Sequence, residues 1–345
     1  MREPTAELES YDVVIVSHNH GDVLRACLAS VAGQHVPPAK VVVADNASTD
    51  GSAGLAESWA ERLDLAVFQN SSNLGFSAAV NRGLQACSSP WVLLLNPDCA
   101  LQPSFAARLL ASVHSTADAA RVGSATGKLL RAHGPGLTTT TVVDAAGMIV
   151  TPSGRHLDRG AGQPDGGAYD REAWVFGGTA AATVYRRSAL EDVTFPDRQV
   201  LPESFFAYRE DAELAWRLQW RGWRCLYVPT AVGAHRRGLQ PERGRRQAPE
   251  INAHSVKNRF LLRLHCADLG WHLSCFPWWL ARDLLVVGAC LTVERSSLPA
   301  LRDVWRLRHD ALSRRRHILQ RRSVPSRQVR RWFRKRGWIE PVDAS

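Results

Sequence analysis

The chain has 345 residues, of which 45% are hydrophobic and 22% charged, and this globular composition excludes a disordered, collagen-like or coiled-coil protein. The formal net charge is +10, but residues 300–345 contain 14 Lys and Arg against 4 Asp and Glu, so the rest of the chain is neutral. The basic surplus therefore describes a C-terminal tail and says nothing about the ligand of the main body.

The cysteine spacing and the apolar runs bear on the cellular compartment. Seven scattered cysteines include no Cys-x-x-Cys pair, which argues against a zinc site and a disulfide framework. The acidic first ten residues lack the apolar core of a signal peptide. The late apolar run Leu284–Val293 has ten residues, whereas a helix that spans a bilayer needs about 20. We therefore expect a reduced, cytoplasmic protein without a transmembrane helix.

Buried strands alternate with amphipathic helices in the first hundred residues. The predicted strands are Tyr11–Ser17, Lys40–Ala44, Leu65–Gln69 and Trp91–Leu95, and the predicted helices are Asp22–Ala32, Leu55–Arg62 and Asn73–Cys87. Such alternation is typical of βαβ units, so we predict an α/β fold with a mostly parallel central sheet flanked by helices.

The later part of the chain is less regular. Gly, Thr, Asp and Pro are frequent in residues 131–170, which predicts a hairpin or long loops, and residues 236–250 are predicted to form a mobile loop. The predicted elements here are strands at Trp174–Arg186 and Cys225–Val228 and a helix at Asp211–Arg221. The pattern then becomes helical, aromatic and basic. We predict an α/β domain over residues 1–250 and a helical C-terminal region over residues 251–345.

Polar clusters follow three of the predicted strands. They are Ser17-His18-Asn19, Asp45–Asp50 and Asn96-Pro97-Asp98. Ligands of open α/β sheets bind at the carboxyl ends of the strands, so these clusters predict a nucleotide pocket. Asp45 directly follows its strand and is a candidate ligand, whereas Asp50 is better explained as a turn or N-cap residue. The absence of GxGxxG after the first strand and of GxxxxGK[ST] argues against dehydrogenase and P-loop functions.

Two further segments carry acids suited to catalysis. Asp98 could hold a divalent cation against a diphosphate, with Asn96 as a neutral oxygen ligand or ribose contact, although Asn-Pro-Asp can also simply begin a turn. Glu210 and Asp211 lie at the predicted beginning of a helix, where the helix dipole favours ionised carboxylates. An ionised acid facing a cleft can act as a general base, but both acids could also merely complement the dipole.

The order of these segments resembles that of family 2 glycosyltransferases, and most closely their bacterial rhamnosyltransferase-like branch, over about residues 11–265. The matching segments are VVIVSHNHGDVLRACLASV, VVVADNASTDGS, NSSNLGFSAAVNRGL, WVLLLNPD, GG…YRRSAL and FFAYREDAELAWRLQWRGWRCLYVPTAVGAH. The resemblance implies a GT-A fold, a nucleoside-diphosphate sugar donor, a divalent cation (Mg²⁺ or Mn²⁺) and inversion at the anomeric carbon. It also implies a polyprenyl-linked or other glycan acceptor for cell-surface polysaccharide, with rhamnose as a candidate sugar.

The resemblance also implies roles for individual residues. The donor nucleotide would contact Ser17, Asp45, Asn73, Gly75, Asn81 and Asn96. The cation would bind Asp98 and His235, and Asp211, beside Glu210, would be the base. Gly177 and Gly178 would let the acceptor approach the backbone closely. Asn96 replaces the first acid of the family's D-x-D motif, and the usual G-x-F-D-E run before FFAY is absent, so the acceptor's identity stays open.

The basic tail predicts a contact with a membrane. Leu301, Trp305 and Leu312 share one helical face among arginines, and Trp278 and Trp279 lie upstream. A basic amphipathic helix with aromatic residues predicts peripheral binding to an anionic surface, here the inner face of the plasma membrane. In that case truncation after about residue 299 would leave a folded body; the alternative is a helix packed on the catalytic domain. No nucleic-acid partner is expected, since no recognised motif accompanies the arginines.

Two other functions remain alternatives. A nucleotidyltransferase also places acids at sheet ends, but it typically carries a Gly-rich, Arg/Lys-containing loop where this chain has SHNHGDVLRACL. A non-catalytic, membrane-bound scaffold with a degenerate site is supported only by Asn96. The sequence does not define the sugar, the base, the acceptor or the oligomeric state.

Overall fold

The computed structural model describes residues 8–237, 249–334 and 338–342, and a mixed sheet of eleven strands forms its centre. The strands are β1 Tyr11–Ser17, β2 Lys40–Asp45, β3 Leu65–Gln69, β4 Trp91–Leu95, β5 Cys99–Leu101, β6 Val122–His133, β7 Thr138–Ala145, β8 Met148–Val150, β9 His156–Asp158, β10 Ala173–Val175, β11 Ala182–Arg186, β12 Arg224–His235 and β13 Glu340–Pro341. The helices are α1 Gly21–Ala32, α2 Ser52–Glu57, α3 Phe76–Gln85, α4 Phe105–Ser115, α5 Arg187–Val193, α6 Glu210–Trp220, α7 Pro249–Cys266, α8 Leu269–Ser274, α9 Phe276–Thr292, α10 Leu298–Gln320 and α11 Ser326–Arg330.

The first four strands form the predicted parallel half of the sheet, in the order β3-β2-β1-β4. Both faces of β1 are buried, with Val13 and Ile15 in one hydrophobic cluster and Val14 and Val16 in another. A continuous apolar run is what a strand covered by helices on both faces requires. The predicted βαβ organisation is therefore confirmed in this half, and the carboxyl ends of these strands share one edge.

The other half of the sheet departs from the mostly parallel pairing that we predicted. β11 pairs antiparallel with both β4 and β6, and β12 pairs parallel with β6 but antiparallel with β5 and β10. Residues 131–170 contain the expected hairpin, because β6 turns directly into β7. Hairpins join neighbouring strands without a crossover helix, so the βαβ pattern does not extend past β4.

The C-terminal helices pack closely on the rest of the protein. α7 lies against α6, α10 runs along α7, and β13 adds to the central sheet by pairing with β10. The predicted boundary at residue 250 coincides with the beginning of α7, and the division into two folding units stays a prediction. Most of the predicted loop at 236–250 lies outside the described residues. No single described helix is long and apolar enough to cross a bilayer, although α9 together with Arg295–Gln320, bent by 109°, meets that criterion as a pair.

The tail contributes directly to the main hydrophobic core. The ring of Phe333 lies 4.6 Å from that of Trp216 and 5.6 Å from those of Phe176 and Trp271. Ala311 and Ile318 of α10 are buried in the same core. This packing supports the alternative of a tail packed on the catalytic domain, because truncation after residue 299 would expose the aromatic cluster.

We predict that Phe333→Ala lowers the free energy of unfolding by about 3–5 kcal/mol, since it removes a buried ring and leaves a cavity. Trp305→Ala is the matched control, because Trp305 is 66% exposed on the same tail, and we expect a change of about 0.5 kcal/mol or less. Urea denaturation followed by circular dichroism measures both. Equal, small effects would show that the tail is a detachable appendage.

Candidate active site

The carboxyl ends of β1, β2 and β4 border a cavity of about 660 Å³, which the turn before α6 and the first turns of α7 close on the opposite side. The predicted site residues that line it are Asn73, Gly75, Asn96, Asp98, Glu210, Asp211 and His235. The sheet edge thus faces the acidic beginning of α6 across one space. This arrangement brings the predicted cation ligands and the predicted base into the same cavity.

An unusual turn presents the two acids of α6. Phe206, Tyr208 and Arg209 precede them with φ angles of 66°, 73° and 72°, a region that bulky L-residues rarely adopt. The buried side-chain amide of Asn258 on α7 holds this turn, because its nitrogen lies 2.7–2.9 Å from the backbone oxygens of Phe205, Ala207 and Tyr208. The direction of the acids therefore depends on a contact with α7.

Burial sets the protonation of the acid pair. It raises the pKa of Asp211 to about 6, helped by the negative charge of Asp158, and it raises the pKa of Glu210 to about 8, helped by Asp211. Oε2 of Glu210 is buried and has no hydrogen-bond partner among the described residues. Two buried neighbouring carboxyls do not both ionise at neutral pH, so we assign the charge to Asp211 and the proton to Glu210.

Asp98 and His235 form the second functional group in the cavity. His235 Nε2 lies 3.4 Å from Asp98 Oδ1, and His235 Nδ1 lies 2.7 Å from Asp144 Oδ2. Burial would lower the pKa of His235, but hydrogen bonds to Asp144 and Asp98 raise it to about 9. Burial would likewise raise the pKa of Asp98, but the hydrogen bond from His235 lowers it to about 2.

This group fits a divalent cation. The carboxylate of Asp98 and Nε2 of His235 supply oxygen and nitrogen donors, and Asp144 orients the imidazole through its other nitrogen, as carboxylates do for metal-bound histidines. Cys99 lies close enough to join Asp98 and His235 around an ion. Burial raises the pKa of its thiol well above the usual value, so Cys99 stays protonated and is a poor ligand for Mg²⁺ or Mn²⁺.

The Asn73–Gly75 loop lies against the turn that carries the acids. Gly75 has a φ of 84°, and a Cβ atom there would lie 2.5 Å from the Phe206 ring, so only glycine fits. The Gly75 N–H donates to Oδ1 of Asn73 at 2.9 Å, and its carbonyl accepts from the Asn46 amide at 3.1 Å. The loop that we predicted to contact the donor is thus fixed in the cavity wall.

Three predicted site residues do not reach this cavity and require correction. Both polar atoms of the Asn81 amide are bound to the backbone at Val200 and Leu201, so Asn81 ties α3 to the loop before α6 instead of contacting a diphosphate. Gly177 and Gly178 lie inside the fold, where a Cβ atom would come 2.4 Å from Ala215 and 2.2 Å from Thr183. These glycines serve packing within the protein, and the structure does not place them on an acceptor path.

Two further predicted donor contacts lie beside the cavity without lining it. Ser17 is fully buried at the end of β1. The Asp45 carboxylate accepts hydrogen bonds from the N–H and hydroxyl of Ser48 at 2.9 and 2.5 Å. Their roles toward a nucleotide stay predictions.

Several residues around the cavity were not identified from the sequence. They are Asp144, His156, Asp158, Arg209, Arg237 and Asn258. Arg237 pairs with both Asp144 and Asp158, and Asp144 binds His235 across 91 residues of sequence. Asp144 follows the apolar pair Val142-Val143, the same signal that indicated Asp45, but it lies in the stretch that we interpreted as a hairpin or long loops.

Comparisons with known proteins agree with this geometry. The family model described as "Glycosyl transferase family 2" matches residues 12–135. An N-acetylglucosaminyl-diphospho-decaprenol L-rhamnosyltransferase of Mycobacterium tuberculosis is 30% identical in an alignment 319 residues long, and the match covers 83% of this chain and 93% of that protein.

Solved structures share the fold. The crystal structure of GalNAc-T7 with UDP, GalNAc and Mn²⁺ matches with a TM-score of 0.57 and 17% identity, covering 88% of this chain and 55% of that one. Staphylococcus aureus TarS 1–349 matches with a TM-score of 0.52 and 17% identity, covering 90% and 89%. The predicted GT-A fold class is confirmed, together with its C-terminal helices.

We predict that Asp144→Asn weakens Mn²⁺ binding by about 10–100-fold, because the amide no longer orients His235 as the carboxylate does. Asp98→Asn should weaken it further, since it removes a charged ligand. Because His235 is protonated below its raised pKa, the affinity of the wild-type protein should increase as the pH rises toward 9.

Titration of the free ion by electron paramagnetic resonance measures these affinities, and circular dichroism verifies folding. Asp64→Asn, which neutralises an exposed carboxylate outside the cavity lining, is the matched control and should bind like the wild type. The cation assignment fails if both cavity variants keep wild-type affinity.

Proposed function

Because the chain belongs to glycosyltransferase family 2 and is a glycosyltransferase, we propose that it transfers rhamnose from a nucleoside-diphosphate donor to a hydroxyl of a lipid-linked glycan, with inversion. The observation that carries this proposal is the shared cavity, in which the buried acid pair of α6 faces Asp98 and His235. A base and a site for a phosphate-binding cation on opposite walls suit a single displacement. Family membership supports neither the nucleotidyltransferase nor the scaffold alternative.

The sheet edge would hold the donor. A cation bound by Asp98 and His235 would neutralise the charge of the departing nucleoside diphosphate. Asn96 and the Asn73–Gly75 loop line the adjacent wall, and they offer neutral hydrogen-bonding groups to the donor. His18 and His20 also line this side. Fixed polar groups at the place where charge develops are the usual main source of rate acceleration.

The acid pair would receive the acceptor. Ionised Asp211 takes the proton of the acceptor hydroxyl as that oxygen attacks the anomeric carbon, on the face opposite the leaving diphosphate. The raised pKa makes Asp211 a stronger base than an ordinary carboxylate while it remains ionised at neutral pH. Protonated Glu210 adds no second negative charge, which keeps the neighbouring carboxylate available.

The relative supports the choice of substrates. Its name describes transfer of L-rhamnose to N-acetylglucosaminyl-diphospho-decaprenol, and the match extends over 93% of that protein. We extend this to the present chain as rhamnosyl transfer to a sugar on a polyprenyl diphosphate. Assaying a panel of nucleoside-diphosphate sugars, with and without Mn²⁺ or Mg²⁺, against polyprenyl-diphosphate N-acetylglucosamine tests it. Transfer of rhamnose to that acceptor is expected, and its absence with every donor would overturn the proposal.

A lipid-linked acceptor suits the surface of the C-terminal helices. Eleven of the twelve large apolar side chains that are exposed in the described ranges belong to residues 269–312. They are Leu269, Leu273, Phe276, Trp278, Leu284, Leu285, Leu291, Val293, Leu298, Trp305 and Leu312. Exposed Arg295, Arg302 and Arg306 lie in the same segment. The concentration of exposed apolar side chains and arginines in this segment supports peripheral binding to an anionic membrane, for which we propose the inner face of the plasma membrane.

The structure changes which element carries this surface. Leu301 of α10 packs partly buried against a hydrophobic cluster, whereas Trp305 and Leu312 are exposed, so the tail helix presents only part of its predicted stripe. α8 and α9 expose the larger share. The exposed apolar side chains of α8, α9 and α10, which we call the apolar surface (residues 269–312), form the proposed membrane contact.

We predict that Asp211→Asn lowers transfer by at least about 100-fold and leaves donor binding intact, because an amide cannot accept the proton. Glu210→Gln is the matched control and should keep most activity, since glutamine resembles a protonated glutamate. As the base must be ionised, wild-type kcat/KM measured at saturating cation should be lost as pH falls through about 6. Radiolabelled sugar transfer over a pH series measures this, and an active Asp211→Asn enzyme would exclude Asp211 as the base.

We predict that the double variant Leu284→Glu, Leu285→Glu binds phosphatidylglycerol vesicles at least about tenfold more weakly, since it removes two apolar side chains from the contact and adds negative charge. Vesicle sedimentation measures the binding. Ser58→Glu with Ala60→Glu adds the same charge at exposed positions elsewhere and should sediment like the wild type. High salt should release the full-length protein. Unchanged sedimentation of the leucine variant would contradict the membrane contact.

A further inference from the structure

Arg209 is a cation in the cavity wall with only neutral hydrogen-bond partners. Its guanidinium donates to the backbone oxygen and the hydroxyl of Ser255, both at 3.1 Å, and lies 3.4 Å from Nδ1 of His156. Within residues 8–237, 249–334 and 338–342, no carboxylate lies within ion-pair distance of it. Burial, Arg259 and Arg155 lower its pKa to about 9, so a nearby anion would stabilise its charge.

Four more arginines surround this position. We call Arg155, Arg209, Arg259, Arg263 and Arg282 the arginine cluster, because the positive charges of the other three members lower the pKa of Arg209 or of Arg259. Asp283 pairs with both Arg259 and Arg263 and so serves two cations. The pKa of His156 falls to about 3 through burial and the charges of Arg209 and Arg155, so His156 is neutral and can accept a hydrogen bond. Leaving Arg155 aside, the ion pairs of the other four arginines within the described ranges involve only the carboxylate of Asp283, so these four carry a surplus of positive charge.

The cluster leads from the cavity to the apolar surface. Ser255, Arg259 and Arg263 follow at intervals of four on α7, and so lie along one face of the helix. Ser255 lines the cavity beside Arg209, whereas Arg259 and Arg263 contact Asp283 on α9. The next residues of α9, Leu284 and Leu285, are 66% and 65% exposed and belong to the apolar surface.

We propose that the arginine cluster, through Arg209 at the cavity and Arg282 on α9, binds the diphosphate of the lipid-linked acceptor. This rests on the proposed function, in which the acceptor carries a sugar, a diphosphate and a polyprenyl chain in that order. The protein presents Asp211, the arginine cluster and the apolar surface in the same order. Guanidinium groups bind phosphate oxygens through paired, charge-assisted hydrogen bonds, which suits a diphosphate better than a neutral link.

Binding of farnesyl diphosphate tests the proposal without requiring transfer. Isothermal titration is performed in EDTA, so that no cation can hold a diphosphate at Asp98, and farnesol and farnesyl monophosphate serve as probes for the chain and the single phosphate. We expect farnesyl diphosphate to bind most tightly, with an affinity that falls as salt rises. Equal affinity for farnesol would overturn the proposal, and so would displacement of farnesyl diphosphate by a nucleoside diphosphate, which would place it in the donor site.

Variants locate the binding within the cluster. Arg209→Gln should lower the affinity for farnesyl diphosphate at least about tenfold, which is the loss expected for one charge-assisted hydrogen bond. Arg209→Lys should lower this affinity less. If the Arg209 variants do not fold, Arg282→Gln on α9 provides the test. We expect it to lower the affinity for farnesyl diphosphate at least about threefold. Arg108→Gln removes the same charge from an exposed position on α4 and should bind like the wild type. Cluster variants that bind as Arg108→Gln does would overturn the proposal.

These outcomes separate the inference from the proposed function. Failure of rhamnosyl transfer with intact, Arg209-dependent binding of farnesyl diphosphate would reject the substrates of the proposed function and retain an acceptor diphosphate site. If transfer succeeds but the binding of farnesyl diphosphate does not depend on Arg209, the proposed function is retained and the acceptor diphosphate site is rejected. In the active enzyme, Arg209→Gln should raise the KM for the diphosphate acceptor more than it lowers kcat, a split that a general loss of structure would not produce.

Discussion

The cavity depends on the turn that brings Glu210 and Asp211 to the beginning of α6. Phe206, Tyr208 and Arg209 hold positive φ angles there, and each costs on the order of 1–3 kcal/mol unless the surroundings impose it. Asn258 imposes it by donating its side-chain amide to three backbone oxygens of the turn. Because Asn258 belongs to α7, the C-terminal helices help to fix the position of the acids. These helices are therefore a structural part of the candidate active site.

The same burial that makes these acids costly makes them chemically useful. A carboxylate that loses its water is held at a higher free energy, and its pKa rises accordingly. The buried Asp98 differs because His235 stands beside it, which lowers its pKa to about 2. One cavity therefore contains a carboxylate that binds protons more tightly than usual and another that scarcely binds them, a separation typical of an acid–base role beside a charge-holding role.

Features that depend on local interactions could be predicted from the sequence, whereas features that depend on contacts between distant segments could not. Local periodicity predicted β1, β3 and β4 to the residue; β1 and β4 are continuous buried runs, and β3 is a half-buried strand at the end of the sheet. The resemblance correctly brought Asp98, His235 and Asp211 to one cavity. It misplaced Gly177 and Gly178, whose close contacts with Ala215 and Thr183 arise from packing between distant segments. The Asp144–His235 pair and the hydrogen bonds of Asn258 to the turn before α6 were not predictable either, since no local pattern marks a partner 50 to 91 residues away.

The donor wall and the acid turn are mechanically connected. Gly75 lies against the ring of Phe206, and the Ser77 N–H donates to the Phe206 carbonyl at 3.1 Å. One turn further along α3, Asn81 binds the backbone of Val200 and Leu201, in the segment that leads into the same turn. A shift of α3 on donor binding would therefore move the turn that carries Asp211, and Asn258 would transmit that shift to α7 and its arginines. These contacts thus connect donor binding at the Gly75 loop to the position of the residues proposed to receive the acceptor.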